Sequence, residues 1–365
     1  MFNIFIIWSV VMKKHINYYV LLSVLLLSIF GLIMIYSASY IWSEYKFNTP
    51  YKFVLNQFIF FLIGLIIMYL ISKIDYNIYY KYSNKILFAC IILLILVLIP
   101  GIGTVRNGSR SWFGIGSFGI QPSEFTKIAL IIFTSKYLVN NKKMLPIILT
   151  TLIIFGIIML QPDFGTGTII VMTIFGILFI NGMNISLILK IGLIGIIGVI
   201  ILVLIAPYRL SRILSFLNPW SDPLGSGFQI IQSMYAIGPG GLFGMGFGNS
   251  IQKHFYLPEP QTDFIFSIIS EEFGFLGIVI ITVLFIILIY NGIKVSLKCR
   301  DKFAKNLSFG IIFGISFQAL LNLMVVVGLI PVTGVTLPFL SYGGSSLLVS
   351  MASIGIILNI SRNSN

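Results

Sequence analysis

The sequence contains a succession of apolar stretches, each close to the length that a helix needs to cross a membrane. That length is about 20 mostly apolar residues. Only 9% of the residues are charged and 58% are hydrophobic, whereas about 25% of the residues of a soluble domain are charged. Such a chain cannot cover its surface with water-binding side chains, so it belongs in a membrane. Ten stretches qualify, near residues 17–39, 53–72, 84–101, 121–139, 144–160, 166–183, 185–206, 264–290, 307–331 and 337–360.

These stretches predict an all-α polytopic membrane protein with about ten transmembrane helices, and the Lys and Arg residues predict its orientation. An even number of spans puts both termini on one side, and fifteen of the 23 basic residues fall on that side. The positive-inside rule makes this side cytoplasmic. Topology therefore accounts for much of the formal net charge of +13, and we expect no nucleic-acid partner.

The expected organisation is one transmembrane domain with short ends. Residues 1–16 form a cytoplasmic segment, in which Met12 is an alternative start because two lysines follow it. Residues 17–361 form the domain and residues 362–365 a short cytoplasmic tail. The one long connection, 207–263, is predicted outside the membrane between helices 7 and 8. Connections of this length are usually functional.

Eight of the ten acidic residues fall on the outer side, which indicates chemistry or cation binding there. Pro122 and Glu124 suit a helix start, because proline fits the first turn and an acid complements the helix dipole. Lys127 is three residues further on the same face and can pair with Glu124. The pair indicates function within the membrane, with a purely structural ion pair as the alternative. Arg106 and Arg110 could clamp a phosphate or snorkel to the interface.

Two turns between predicted helices are rich in Gly, Pro and polar residues. In the turn 161–167, Asp163 is either a helix cap or a catalytic acid. The segment 328–346 contains two prolines and several glycines that break the helix at membrane depth. Broken backbone is tolerated there only where it lines a cavity or is covered by protein.

The end of the long outer connection carries the strongest candidate for chemistry. Its glycine run, 238–248, lacks the features of a nucleotide loop and instead allows close backbone packing. Asp263 follows at the mouth of the next helix, where Ser267, Ser270 and Glu271 would extend a polar stripe along one face. A helix cap is the alternative role for this aspartate.

Five sequence motifs together resemble those of a known protein family. They are Gly108-Ser-Arg-Ser-Trp112, Gln121-Pro-Ser-Glu-Phe-Thr-Lys127, Gln161-Pro-Asp-Phe-Gly-Thr-Gly167, Leu257-Pro-Glu-Pro-Gln-Thr-Asp-Phe-Ile-Phe266 with Glu271-Glu272-Phe-Gly274, and Pro331-Val-Thr-Gly-Val-Thr-Leu-Pro-Phe-Leu-Ser-Tyr-Gly-Gly-Ser-Ser346. In this order, across residues 13–361, they resemble the SEDS family, the FtsW/RodA/SpoVE group of peptidoglycan glycosyltransferases. The form of the fourth motif is most similar to the FtsW and SpoVE branch.

The resemblance implies ten spans with both termini in the cytoplasm and lipid II as the substrate. It implies a class B penicillin-binding protein as partner, together with other membrane proteins of the division or elongation machinery, and a role in division or sporulation. It implies Asp263 as the catalytic carboxylate. The resemblance implies no definite cofactor. A divalent cation (Mg or Mn) bound at the pyrophosphate of lipid II is an open alternative. The implied substrate-binding residues are Arg110, Trp112, Glu124, Lys127, Glu259 and Ser341.

The chemistry that fits is an inverting glycosyl transfer, in which a base activates the attacking hydroxyl and positive charge stabilises the departing pyrophosphate. Asp263 is the candidate base, and Arg110, Lys127 or the cation could supply the positive charge. Two other classes of function stay open at this point: a flippase that moves lipid II outward, and a scaffold without enzymatic activity that positions a transpeptidase. The polar density on one side and the absence of an evident repeat disfavour the flippase.

Overall fold

The computed structural model describes residues 16–106, 108–115, 118–140, 143–205 and 207–363. The predicted N-terminal segment with its alternative start at Met12, apart from Ile16, lies outside the described residues, as do Asn107, which precedes the first motif, and the last two residues of the tail. The helices are α1 (Tyr18–Phe47), α2 (Lys52–Lys73), α3 (Asn77–Leu96), α4 (Pro122–Asn140), α5 (Leu145–Leu160), α6 (Phe164–Ile180), α7 (Ile185–Ile205), α8 (Pro207–Leu217), α9 (Phe228–Ile237), α10 (Ile265–Lys298), α11 (Lys302–Val326) and α12 (Gly344–Asn363).

The predicted class, an all-α polytopic membrane protein, is confirmed. Six of the described helices (α1, α2, α3, α10, α11 and α12) are long and apolar enough to cross a membrane, and three shorter apolar helices accompany them. Helix α4 is less apolar because it carries Glu124, Lys127 and Lys136 within 19 residues. The number of spans stays a prediction.

Several predicted helix ends shift for local reasons. Helix α1 continues to Phe47, where Asn48 adopts a left-handed conformation and ends it. Helix α11 begins five residues earlier than predicted, because the side chain of Asp301 accepts a hydrogen bond from the Phe303 amide and caps it. Helix α12 begins at Gly344 rather than near residue 337, because residues 337–341 form a turn closed by the Ser341 hydroxyl.

A small antiparallel sheet joins α3 to α4, and the sequence analysis does not predict it. Its strands, in order, are β1 (Thr104–Arg106), β2 (Ser109–Ile115) and β3 (Phe118–Ile120). Thr104 faces Trp112 across β1 and β2, and Phe113 faces Ile120 across β2 and β3. Gly108, with φ +81°, permits the tight turn between β1 and β2. The sheet places the first motif on strands.

The connection 207–263 is more ordered than a long loop. It contains α8, α9 and two short 3-10 turns, Pro219–Ser221 and Gly238–Gly240. Its last part wraps around α10, which is interrupted at Gly274 (φ 61°, ψ −154°). The break divides α10 into a half-helix, residues 265–273, and a longer second part.

The glycine run closes this break with backbone hydrogen bonds. The amides of Met245 and Gly246 donate to the carbonyls of Glu271 (2.9 Å) and Glu272 (3.0 Å). In the other direction, the amide of Phe275 donates to the carbonyl of Gly241 (2.9 Å). The polar groups freed by the interruption are thereby satisfied, as the membrane environment requires. The predicted close backbone packing of this run is what the structure has.

We expect Gly274→Ala to destabilise the protein by about 3 kcal/mol, because an L-residue is strained at this positive φ and a Cβ would meet the Gly244 nitrogen and lie 2.7 Å from the Gly240 oxygen. Thermal unfolding in detergent measures the loss. Gly156→Ala in α5 is the matched control, since nothing lies within 4 Å of its Cβ position. Equal stability of the two variants would contradict the assigned break.

Candidate functional site

The Glu124–Lys127 pair predicted on α4 forms inside the protein. The Lys127 ammonium lies 2.9 Å from the Glu124 carboxylate and donates a second hydrogen bond of 2.8 Å to the Gln318 side-chain oxygen on α11. Both charged side chains are buried. The pair therefore holds two helices together, which fits the structural alternative, and it also brings buried charge to the N-terminal part of α4.

Asp163 lies next to this pair, in the turn between α5 and α6. Its carboxylate accepts hydrogen bonds from the Thr166 amide (3.1 Å) and from the Gln121 side chain (2.9 Å). The aspartate therefore caps α6, one of its two predicted roles. Burial raises the pKa of Asp163, and the nearby Glu124 carboxylate raises it further. Two carboxyl groups thus share one partly desolvated neighbourhood.

Two side-chain amides on α11 connect the separate motifs. Asn322 donates to the main-chain oxygens of Asp263 (2.8 Å) and Val335 (2.7 Å). One turn earlier, Gln318 binds Lys127 and donates to the main-chain oxygen of Thr336 (3.1 Å). These bonds join α4, Asp263 (two residues before α10) and the segment 331–346 at the same end of the bundle.

Asp263 precedes helix α10 rather than capping it. The helix begins at Ile265, with Phe264 at the N-cap position and no side-chain capping bond there. The Thr262 hydroxyl donates instead to the Glu259 carbonyl. A Cβ placed on Gly334 would lie 3.8 Å from the Asp263 carboxylate. The carboxylate therefore faces the backbone of the segment 331–346.

The polar stripe predicted along α10 divides into separate contacts. The Ser267 hydroxyl lies 2.8 Å from the Ser233 hydroxyl of α9. Glu271 accepts hydrogen bonds from the hydroxyl of Ser250 and the amide of Ile251. These residues hold the outer connection against α10 and do not extend the surface around Asp263.

The residues predicted on the first motif lie on the sheet. The Arg110 guanidinium is 3.5 Å from the Leu98 carbonyl, a long contact, and its side chain is partly exposed. The Arg106 guanidinium lies over the Trp112 ring, with its central carbon 4.9 Å from the ring centre. The Ser109 hydroxyl donates to the Gln161 carbonyl, so the sheet is attached to the turn that holds Asp163.

Ser341 and Glu259 occupy different surroundings from the other predicted residues. The Ser341 hydroxyl accepts from the Leu337 amide at 2.8 Å, and its carbonyl accepts from Gln57 of α2. This serine shapes the segment 331–346. Glu259 is exposed and has a positive φ of 45°. Helix α11 thus binds both Lys127, through Gln318, and the main chain of Asp263, through Asn322. The hydrogen bonds described for Ser341 lead elsewhere, to Leu337 and Gln57.

The sequence analysis overlooks Gln318 and Asn322. They stand four residues apart on one face of an apolar helix, and an amide on such a face is expensive in a membrane unless it is bonded. That spacing was the available signal. Lys253 is also overlooked; its side chain is completely buried against Glu272.

No group of three or more His, Cys, Asp or Glu side chains close enough to hold a metal ion occurs in the part of the chain that the structure describes. A cation at the pyrophosphate would need substrate oxygens among its ligands, and it stays a prediction.

We expect Asn322→Leu to destabilise the protein by about 3 kcal/mol, because the part-buried carbonyl of Asp263 and the buried carbonyl of Val335 both lose the amide that donates to them. Thermal unfolding in detergent measures this change. Asn291→Leu is the matched control, because the bond described for the Asn291 amide, to the Ile287 carbonyl, lies within its own helix. If both variants lose the same stability, Asn322 does not hold the motifs together.

Comparison with known proteins decides the family. The family model of FtsW, RodA and SpoVE, described as "Cell cycle protein", matches residues 17–365. The chain belongs to the FtsW/RodA/SpoVE family. The resemblance found in the five motifs is thereby confirmed.

Relatives and solved structures of this family match along nearly the whole chain. Stage V sporulation protein E of Bacillus subtilis is 52% identical over 353 residues, which cover 94% of this chain and 96% of that protein. A protein of Trichlorobacter lovleyi named "Probable peptidoglycan glycosyltransferase FtsW" is 42% identical, covering 93% and 92%. These names agree with the predicted FtsW and SpoVE branch.

Two solved structures of the family share the fold. One, described as "Structural coordination of polymerization and crosslinking by a peptidoglycan synthase complex", superposes with a TM-score of 0.80 at 30% identity, covering 96% of this chain and 98% of that chain. RodA of Thermus thermophilus superposes with a TM-score of 0.71 at 26% identity, covering 95% and 97%. The multi-pass membrane architecture is therefore that of the family.

Proposed function

We propose that this chain is a peptidoglycan glycosyltransferase, which polymerises lipid II into glycan strands at the outer face of the cytoplasmic membrane during cell division or sporulation. Two relatives are named "Probable peptidoglycan glycosyltransferase FtsW", and a sporulation protein is among the similar chains. The observation that carries the proposal is Asp263, whose main chain is bound by Asn322 beside the segment 331–346.

The proposed reaction is an inverting displacement. The 4-hydroxyl of one sugar attacks the anomeric carbon of another, and the bond to the lipid pyrophosphate breaks. Asp263 takes the proton of the attacking hydroxyl as general base. The pyrophosphate leaves as a stable anion, so no acid is needed to protonate it. Both electrons of the broken bond go to the pyrophosphate oxygen.

Arg110 is a better candidate than Lys127 for binding the pyrophosphate. Lys127 is buried and already bound to Glu124 and Gln318, so its charge is balanced within the protein. Arg110 is partly exposed and makes one long contact, which leaves guanidinium donors for a phosphate. In this proposal, Lys127 and Glu124 position α4, and Trp112 belongs to the sheet beside the substrate.

We also propose the orientation of the chain in the membrane and its protein partner. Both termini lie in the cytoplasm, because the basic residues accumulate on that side of the predicted topology. A class B penicillin-binding protein cross-links the new strand; one structurally similar chain comes from a complex that coordinates polymerisation with crosslinking. Other membrane proteins of the division or elongation machinery complete the assembly.

The test is reconstitution of the purified protein in vesicles with a class B partner and fluorescent lipid II. Strand formation is read on a gel and outward movement of lipid II by its accessibility to an added reagent. We expect strands that depend on this protein. Translocation without strands would favour the flippase. The absence of both strands and translocation, with an active partner present, would favour the scaffold.

A further inference from the structure

The outer connection contains a buried charge that the proposed mechanism does not use. The Lys253 ammonium lies 2.9 Å from the Glu272 carboxylate, and neither side chain is exposed to solvent. It also contacts the Ser37 hydroxyl of α1 at 3.4 Å and lies 5.0 Å from the centre of the Tyr40 ring. A buried lysine is stable only with such partners. Its side chain therefore ties the connection to both α10 and α1.

The paired acids Glu271 and Glu272 hold the same turn of the outer connection. Glu271 accepts from the Ser250 hydroxyl and the Ile251 amide. Glu272 accepts from Lys253 and, at 2.6 Å and 2.8 Å, from the Ser37 hydroxyl. Both acids therefore hold residues 250–253 against the bundle.

These contacts lie at one end of the half-helix 265–273, and Asp263 lies at the other. Because α10 is interrupted at Gly274, helix continuity does not fix the direction of the half-helix. Its direction therefore depends on side-chain contacts, among them those of Glu272 at one end and of Ser267 nearer the other. At 1.5 Å per residue, Glu272 and Asp263 are roughly 13 Å apart. A tilt of about 5° at the Glu272 end would then move Asp263 by about 1 Å.

We propose that Lys253 is a positioning residue for the transfer reaction: by locking Glu272 to Ser37, it fixes the half-helix and so the location of Asp263. This inference rests on the proposed function. A displacement of about 1 Å far from the chemistry can lower a rate 10²-fold. The lock acts on the position of the base and not on substrate contacts, so it affects kcat rather than KM.

The test compares single and paired neutral variants. Lys253→Met leaves Glu272 buried without its cation, so we expect a clear loss of thermal stability. Lys253→Met with Glu272→Gln removes both charges, and its unfolding midpoint returns close to that of the native protein. In strand polymerisation, we expect this double variant to keep a kcat at least tenfold below native, with the KM for lipid II within threefold. A kcat that recovers together with stability would overturn the proposal and leave a structural role only.

Ser37→Ala provides a milder second variant, because it keeps both buried charges and removes one hydroxyl, with its bonds to Glu272 and its contact with Lys253. We expect a several-fold lower kcat with native stability, and an unchanged kcat counts against the proposal even if the double variant does not fold. His254→Ala is the matched control, since this neighbouring side chain is exposed, and it should behave as native.

Hydrogen exchange separates failure of this inference from failure of the proposed function. In the double variant (Lys253→Met with Glu272→Gln), the amides of residues 244–256 should exchange at least tenfold faster than in the native protein or in the His254→Ala control. If the native protein makes no strands, the proposed function fails, and exchange still tests the docking. If exchange is unchanged, Lys253 does not dock the connection and the inference is wrong.

Discussion

Replacement of Lys127 by methionine is expected to lower the free energy of unfolding by about 3–5 kcal/mol, because it leaves the buried Glu124 carboxylate without its cation. The double variant Lys127→Met with Glu124→Gln should recover most of the loss, because a neutral pair costs little to bury. Thermal and denaturant unfolding in detergent measure both variants.

Lys136→Met on the same helix is the control for this prediction. Lys136 is partly exposed and lies over the Tyr80 ring at 5.3 Å, so its loss should cost at most about 1 kcal/mol. If the single Lys127 variant and the double variant lose the same stability, the pair contributes by packing alone and charge balance is not its role.

Replacement of Asp263 by asparagine is expected to lower kcat by about 10³-fold, because an amide cannot take the proton of the attacking hydroxyl. The change keeps the size of the side chain, and the bond from Asn322 reaches the main-chain carbonyl, which is unaltered. Folding and the KM for lipid II should therefore stay near native. Steady-state polymerisation kinetics with the purified protein and its partner measure this split between kcat and KM.

Asp222→Asn is the control, because Asp222 is an exposed carboxylate of the same outer connection, outside the proposed site. The amide and hydroxyl of Ser226 donate to it and keep its pKa below the usual range. Its replacement should leave kcat within twofold of native. A rate loss shared by both variants would indicate damage to the connection, and an Asp263→Asn enzyme with native kcat would show that the base is elsewhere.

Local spacing in the sequence predicts the parts of the site that depend on neighbouring residues. Glu124 and Lys127 are one helical turn apart, so their pairing follows from helix geometry. Asp163 precedes a helix, so its capping role follows from the unsatisfied amides of the first turn. The class of fold follows from the apolar stretches, because a membrane permits few other structures.

Parts that depend on distant residues are not predictable in this way. The sheet needs three short strands that carry too few residues for a periodic signal. The docking of Lys253 on Glu272 and Ser37 joins residues 19 and 216 positions away along the chain. Asn322 was an interpretable signal, as an amide on an apolar helix, but its partners at Asp263 and Val335 appear only in the folded chain.

The most direct test of the account is strand polymerisation from fluorescent lipid II by the purified protein with its class B partner, comparing the native chain with Asp263→Ala. The account predicts long glycan strands from the native protein and none from the variant, although both fold and bind the partner. Equal strands from both would contradict the assignment of Asp263 as the base. No strands from the native protein, with an active partner present, would contradict the proposed activity itself.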